Sequence, residues 1–456
     1  MSAPERSASQ DPATDYLRAV RDGELPPDLP ASTAARVLGP DIEAQSFHRV
    51  MFVDERELTS FYADFTVLLD VVGRLPHLLA GGSTAAFGAL TDVPEVLRPL
   101  LAGTDLPALV PYGRADLIHD GTGFKVLELG LSPAVGGAER TAWLPAVMEE
   151  PAFRPFAERH RLRHLDPITA LLDLLRTVET THTGHHAEAP QPTGQAEVLM
   201  VEATGALAEW AGDWRPLGEC LEAYSDRPLR TRLAEVADLH EPDGSVADHV
   251  AGVTHLLRLF NLTELAEEPD PVLAWQRLHP APGSAMPPMA TSPVHDMYNS
   301  KACLALVWLP EVQDALTDGE RAALRRVLPE TTHVDAATDL TGFVRDRAST
   351  ILKPTTLARG EGTVAGWTVD DGTWRAALAS AAENGRHILQ RRVVQRVEPG
   401  FDTDGVTERD WYAVWGMHYG PGGFTGFSCR LTTVPGAVVR GISNVLLAPV
   451  LLHPGA

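Results

Sequence analysis

Thr350-Ile-Leu-Lys-Pro-Thr-Thr-Leu-Ala-Arg-Gly-Glu-Gly-Thr-Val-Ala-Gly-Trp367 reads as a strand that carries a lysine, Lys353, into a loop punctuated by Gly360, Gly362 and Gly366. Glycine is favoured where backbone turns left-handed or must approach a ligand closely. Successive N–H groups in such a loop can close over an anion, which makes the stretch a candidate phosphate cradle. A plain β-hairpin with a Gly-Glu-Gly turn has the same spacing. The adjoining chain favours the cradle. Residues 374–384 read as a helix and 387–394 as an apolar strand, as a hinge beneath a base-binding pocket would require.

Lysine is rare in this chain: of 38 basic residues only Lys125, Lys301 and Lys353 are lysines. Such a bias towards arginine suggests that lysine is kept where a compact, flexible point charge is needed. Lys301 follows Asn299 and Ser300, both good N-caps, and opens an apolar helix through Trp308. A lysine in a first helical turn opposes the helix dipole, and an anion bound there would remove the penalty. A solvated lysine is the alternative.

The third lysine lies in Pro111-Tyr-Gly-Arg-Ala-Asp-Leu-Ile-His-Asp-Gly-Thr-Gly-Phe-Lys-Val-Leu-Glu-Leu-Gly130, a strand–turn–strand pattern. Arg114 and Asp116 share a strand face. A three-residue loop at Gly121-Thr122-Gly123 places Asp116 opposite Glu128 and Arg114 opposite Gly130. Opposed carboxylates repel, so a cation must sit near them. It is either a hard divalent metal such as Mg²⁺, which prefers carboxylate oxygens, or Arg114 or Lys125 pairing with Asp116 on an exposed hairpin. Further on, residues 411–430 read as two strands around a Gly-Pro-Gly-Gly turn, ending at Arg430, with Asn444 beyond. Arginine and asparagine there could complete a phosphate and metal site.

The remainder sets bounds. Residues 1–110 read as mainly helical, with 55–75 carrying apolar residues at helical spacing. Residues 196–201 and 232–236 read as short strands, 216–224 as a helix and 253–262 as a further apolar stretch, together a small parallel sheet. Neither GxGxxG nor GxxxxGK[ST] occurs in this section. Residues 180–194 read as an exposed linker whose His182, His185 and His186 are not expected to hold metal. The proline-rich stretch 280–293 marks the last boundary. A formal charge of −23 argues against nucleic acid as a partner. The polar first residues lack the apolar stretch of a signal peptide, and no apolar run is long enough to span a bilayer. Three scattered cysteines suggest neither disulfides nor structural zinc, so a cytoplasmic protein is expected.

In this order, Arg114-x-Asp116…Glu128, Asn299-Ser300-Lys301-Ala302 with its Leu/Trp-rich helix, Lys353-Pro354 with Arg359-Gly360-Glu361-Gly362, the strand containing Gln390, and Gly-Phe-Ser-Cys-Arg430 resemble the synthetase domain of glutathionylspermidine synthase and its ATP-grasp relatives. The resemblance covers most of the chain from about residue 113. It implies an α/β (α+β) chain with a circularly permuted ATP-grasp-type fold. The expected divisions are a helical region at 1–110, the metal-binding hairpin and a helical segment at 111–190, a small α/β domain at 191–290, and the nucleotide-binding domain at 291–456.

The resemblance further implies that Asp116, Glu128 and Asn444 bind Mg²⁺. Lys301 and Lys353 would contact ATP phosphates, with Arg359, Gly360, Glu361 and Gly362 closing over them. Gln390 and Val393 would line the adenine pocket, and Arg114 and Arg430 would stabilise an acyl phosphate. Relatives usually carry asparagine where this chain has Gly130, which removes one oxygen ligand. The implied activity is an ADP-forming carboxylate–amine ligase in small-molecule biosynthesis, taking a small-molecule carboxylate and an amine. Two alternatives stand beside it: an amino-acid or peptide ligase with non-polyamine substrates, and a non-catalytic ATP-grasp-like binding protein, for which Gly130 is the best support.

Overall fold

The computed structural model describes residues 11–38, 45–134, 136–185, 195–241, 245–248, 250, 252–279, 286–357, 360–402, 404–439 and 444–455. In chain order the strands are β1 (Met51–Asp54), β2 (Gly113–His119), β3 (Phe124–Gly130), β4 (Ala196–Glu202), β5 (Leu229–Glu235), β6 (His255–Arg258), β7 (Thr331–Val334) and β8 (Thr350–Pro354). They continue with β9 (Val364–Ala365), β10 (His387–Arg391), β11 (Val397–Phe401), β12 (Glu408–Gly420), β13 (Gly423–Thr432), β14 (Leu446–Ala448) and β15 (Val450–His453).

The largest sheet has the order β14-β13-β12-β2-β3, with β11 also paired to β12. Its centre is β12, whose 13 residues are long enough to serve two partners on one side. Residues 408–412 pair with β11 and residues 415–419 with β2. The hairpin expected within 111–190 is thus built into one sheet with the C-terminal strands. A second antiparallel sheet, β7-β10-β8-β9, carries Lys353 and Gln390. The small parallel sheet is β5-β4-β6, and β1 pairs in parallel with β15.

The helix Glu55–Ala80 shows why the sequence folds as it does. Asp54 caps it by accepting from the N–H groups of Arg56 and Glu57, and Gly81 ends it in the left-handed region at φ 56°. Leu58, Phe61, Phe65, Leu68, Val72 and Leu75 recur at spacings of three and four and are all buried. They join a core that also takes Leu117 and Val126 of the hairpin and Trp415 of β12. The sheet bearing Lys353 has a core of its own, with Leu352 and Leu389 packed on Trp374 and Leu378 of the helix Asp371–Asn384.

Several expected boundaries move. The strand anticipated to reach residue 394 ends at Arg391. The helix expected at 216–224 is Leu207–Tyr224, with Pro216 inside it. The expected linker begins inside the helix Pro167–His185, while His186 lies outside the described residues. Among the described residues no helix is long and apolar enough to cross a membrane.

Candidate functional site

The site begins with the hairpin. Arg114 faces Gly130 and Asp116 faces Glu128, as the sequence suggested. The route is different. The loop is Asp120–Gly123, where the Asp120 carboxylate accepts from the N–H groups of Thr122 and Gly123. Nearer the turn the register is Leu117 with Val126, so Leu127 is an extra, unpaired residue, a β-bulge. The longer loop shifts the register by one residue and the bulge shifts it back.

The bulge leaves Leu127 without a partner across the ladder, and Lys353 donates to its carbonyl. The ammonium reaches across from the second sheet to Leu127 O at 3.0 Å and to Gln390 Oε1 at 2.8 Å. The Gln390 amide in turn donates to Thr331 Oγ1 at 3.2 Å. Both acceptors of Lys353 are neutral. Burial, joined by the repulsion of Lys301, brings the Lys353 ammonium down to about 8, against the pull of Glu128.

Lys301 arrives from a third direction. It occupies the N-cap position of the helix Ala302–Leu306 and is buried. Its Nζ lies 2.8 Å from Glu128 Oε1 and donates to Leu357 O at 2.6 Å. The residues before it fix its place: Asn299 Oδ1 accepts from Leu131 N just beyond β3, and Lys301 N donates to Thr355 O. The solvated alternative for Lys301 is therefore set aside.

Asp116 lies between two arginines. One oxygen accepts from Arg114 Nε at 2.9 Å, the other from Arg430 at 2.6 Å, and Arg114 also donates to Gly136 O. Burial alone would raise this carboxyl, but the two guanidiniums outweigh it and hold Asp116 well below the usual carboxylate range. Arg430 stands on β13, with β12 between it and the hairpin. Asp116 faces Gly416 across one ladder, and Gly416 faces Ser428 across the next. A Cβ at 416 would meet Ser428 Oγ at 2.6 Å and Arg114 Cδ at 2.7 Å, so glycine clears the path. His418, opposite Arg114, is buried with Nε2 unpartnered; burial, with Arg114 beside it, pushes it down to about 3 and leaves it neutral.

The hairpin register places Lys125 on the same sheet face as Asp116, towards the loop. Beyond it opens a cavity of about 700 Å³ lined by Asp120, Lys125, Trp308, Arg325, Arg391 and Val393, among others. Val393 belongs to this cavity although it falls past the end of β10, whereas Gln390 is buried against Lys353. The glycine loop after β8 runs back into β9, so it is also a hairpin. Gly360 and Gly362 both adopt left-handed φ, 71° and 65°, and Glu361 is exposed between them. Arg359 lies outside the described residues.

The three expected metal ligands are not gathered into a metal site. Both oxygens of Asp116 are taken by arginines, Glu128 is paired with Lys301, and exposed Asn444 turns its amide to Val438 O. Among the described residues no group of three His, Cys, Asp or Glu could hold a metal ion. The donor set fits anionic phosphates, through two buried ammoniums and two guanidiniums, and does not fit a metal held by the protein alone. The opposed carboxylates are balanced by protein cations: Arg114, foreseen as a partner of Asp116, and Arg430 and Lys301, which were not foreseen as partners of these carboxylates. Gly416, His418 and the Leu127 bulge escaped the sequence reading, and Ser428 entered it only as part of Gly-Phe-Ser-Cys-Arg430, with no role of its own. Only Gly416, a glycine inside the largely apolar run 411–419 of β12, carried a usable signal.

The chain is similar in structure to a glutathione synthetase-like effector from Globodera pallida in its apo form, with TM-score 0.54 and 12% identity over 97% of this chain and 98% of that one. A putative gamma-glutamylcysteine synthetase from Methylobacillus flagellatus KT aligns with TM-score 0.35 and 12% identity, over 82% of this chain and 88% of that one. No protein-family model matches the chain, and no curated protein sequence does. The architecture is a mixed α/β fold of the ATP-grasp type.

Proposed function

We propose that this ATP-grasp-type chain is an ATP-dependent carboxylate–amine ligase that works through an acyl phosphate. The observation that carries the reading is the line of groups along one sheet face. A cavity with ample room for a base opens beside Lys125 and Val393, buried Lys353 and Lys301 meet at Leu127 and Glu128, and the guanidiniums of Arg114 and Arg430 follow. Lys353 is a buried ammonium whose hydrogen-bond acceptors are both neutral, a costly arrangement that a phosphate at the same point relieves.

In this reading ATP lies with its base in the cavity and its phosphates at the two lysines. A carboxylate oxygen of the acid substrate attacks the γ-phosphorus, and the bond to the β-phosphate oxygen breaks to release ADP. Lys301 and Lys353 neutralise charge on the phosphates, while Arg114 and Arg430 hold the transferring group. The amine then attacks the acyl carbon, phosphate leaves, and the amine nitrogen loses its proton. Water must be kept from the acyl phosphate, and in this reading the loop after β8 does so; the bond from Lys301 to Leu357 O supports that role.

The test is ADP release with Mg²⁺ across a panel of carboxylates and amines, for wild type and Lys353→Ala. ADP that appears only when one acid and one amine are both present, and is lost in the variant, supports the ligase and names its substrates. No turnover together with no ATP binding by calorimetry sinks it.

A further inference from the structure

Asp116 is engaged more completely than a carboxylate waiting for a ligand would be. Arg114 Nε and Arg430 each take a different oxygen, at 2.9 Å and 2.6 Å. Such charge-assisted bonds are the strong kind, and the three side chains are largely shielded from water, at 21%, 21% and 12% exposure for Arg114, Asp116 and Arg430. The reach from β2 to β13 exists only because Gly416 leaves β12 bare between them. Drawing Asp116 away to a metal would leave two guanidiniums facing each other without their shared counter-charge. Glu128 is engaged differently. It meets the flexible ammonium of Lys301 at 2.8 Å, which a phosphate can draw away. Gly130, two residues on, offers no side chain as a further ligand.

We propose that Asp116 is the anionic spacer of a two-arginine clamp and not a metal ligand. Glu128 is then the carboxylate through which this protein meets a divalent cation carried on nucleotide phosphates. Asp116 acts through Arg114 and Arg430, holding their guanidiniums at a fixed separation with their remaining N–H groups free for an oxyanion. The proposal rests on the nucleotide-site reading above.

Mn²⁺ is the probe, titrated by electron paramagnetic resonance into the full chain with and without ADP, for wild type, Asp116→Asn and Glu128→Gln. With ADP bound, Asp116→Asn retains the wild-type Mn²⁺ affinity, whereas Glu128→Gln weakens it by at least about tenfold. Without ADP, wild type and Asp116→Asn behave alike. A Mn²⁺ site weakened about tenfold in Asp116→Asn, with or without ADP, overturns the proposal. The Arg114 Nε–H resonance gives a second readout that a merely structural role would not move. Adding Mg²⁺ to the ADP-loaded wild type leaves it in place if Asp116 stays bridged, and shifts it to its Asp116→Asn position if metal captures the carboxylate. If ADP does not bind at all, the nucleotide-site reading fails, whereas the Arg114 Nε–H resonance still tests the clamp: in nucleotide-free wild type it differs from its Asp116→Asn position if Asp116 bridges the arginines, and a coincidence of the two overturns the proposal.

Discussion

Lys353 donates its ammonium to the carbonyl oxygen of Leu127, 3.0 Å away, and Leu127 is the one residue of β3 with no partner across the hairpin. The bulge and the lysine are one device. An ordinary hairpin keeps its carbonyls in the ladder or turns them to solvent, whereas the extra residue presents one to the facing sheet. This contact joins the two antiparallel sheets at the point where the lysines gather.

Replacing Lys353 tests that device through pH. Its ammonium, at about 8 in the folded chain against 10.5 ordinarily, is disfavoured by folding. Between those values the unfolded chain holds a proton that the folded chain has released, so stability rises with pH across this window. Relative to Lys353→Met, the wild type gains in urea midpoint from pH 8 to pH 10. A difference that stays flat or falls contradicts the assignment.

Gly416→Ala places a methyl where Ser428 Oγ and Arg114 Cδ already stand, at 2.6 and 2.7 Å. The expected cost is about 1–3 kcal/mol in denaturant unfolding. Gly416→Ala combined with Ser428→Gly recovers part of it, because one of the two obstructing groups is gone. Strict additivity of the two changes would show that the groups do not compete for this space.

Asp116→Asn removes the charge that both arginines share. Truncating one partner of a buried pair costs about 3 kcal/mol near neutral pH. The folded carboxyl lies below its ordinary 3.8, so its contribution is present above that value and is lost as pH falls towards the folded one. The gap in urea midpoint between wild type and variant therefore narrows below about pH 4.

Glu202, at the end of β4, runs the other way. Burial raises its carboxyl to about 7, although Ala203 N–H and Trp214 Nε1 both donate to it. A raised carboxyl stabilises below its unfolded value of 4.5, and that stability is lost as pH climbs through 7. Hence the midpoint of Glu202→Gln minus that of wild type increases from pH 5 to pH 8, by chemical denaturation. A constant difference would place the group at an ordinary carboxylate value.

What the sequence by itself determined is local. Apolar spacing in 55–75 marked the long helix, and glycines at 360 and 362 marked a turn that is indeed left-handed at both. The opposition of Asp116 and Glu128 was legible because alternation along a strand fixes which residues share a face, although the loop was read one residue short and the bulge was not seen. What only the tertiary structure decided is which cation answers which carboxylate. Arg430 is 314 positions from Asp116, and Lys353 is 226 from Leu127. No local pattern links them, since such partners are chosen by sheet order and by the absence of a side chain at Gly416. Local propensity acts over a few residues, whereas a buried charge is matched by whatever the packed fold brings within about 3–4 Å of it.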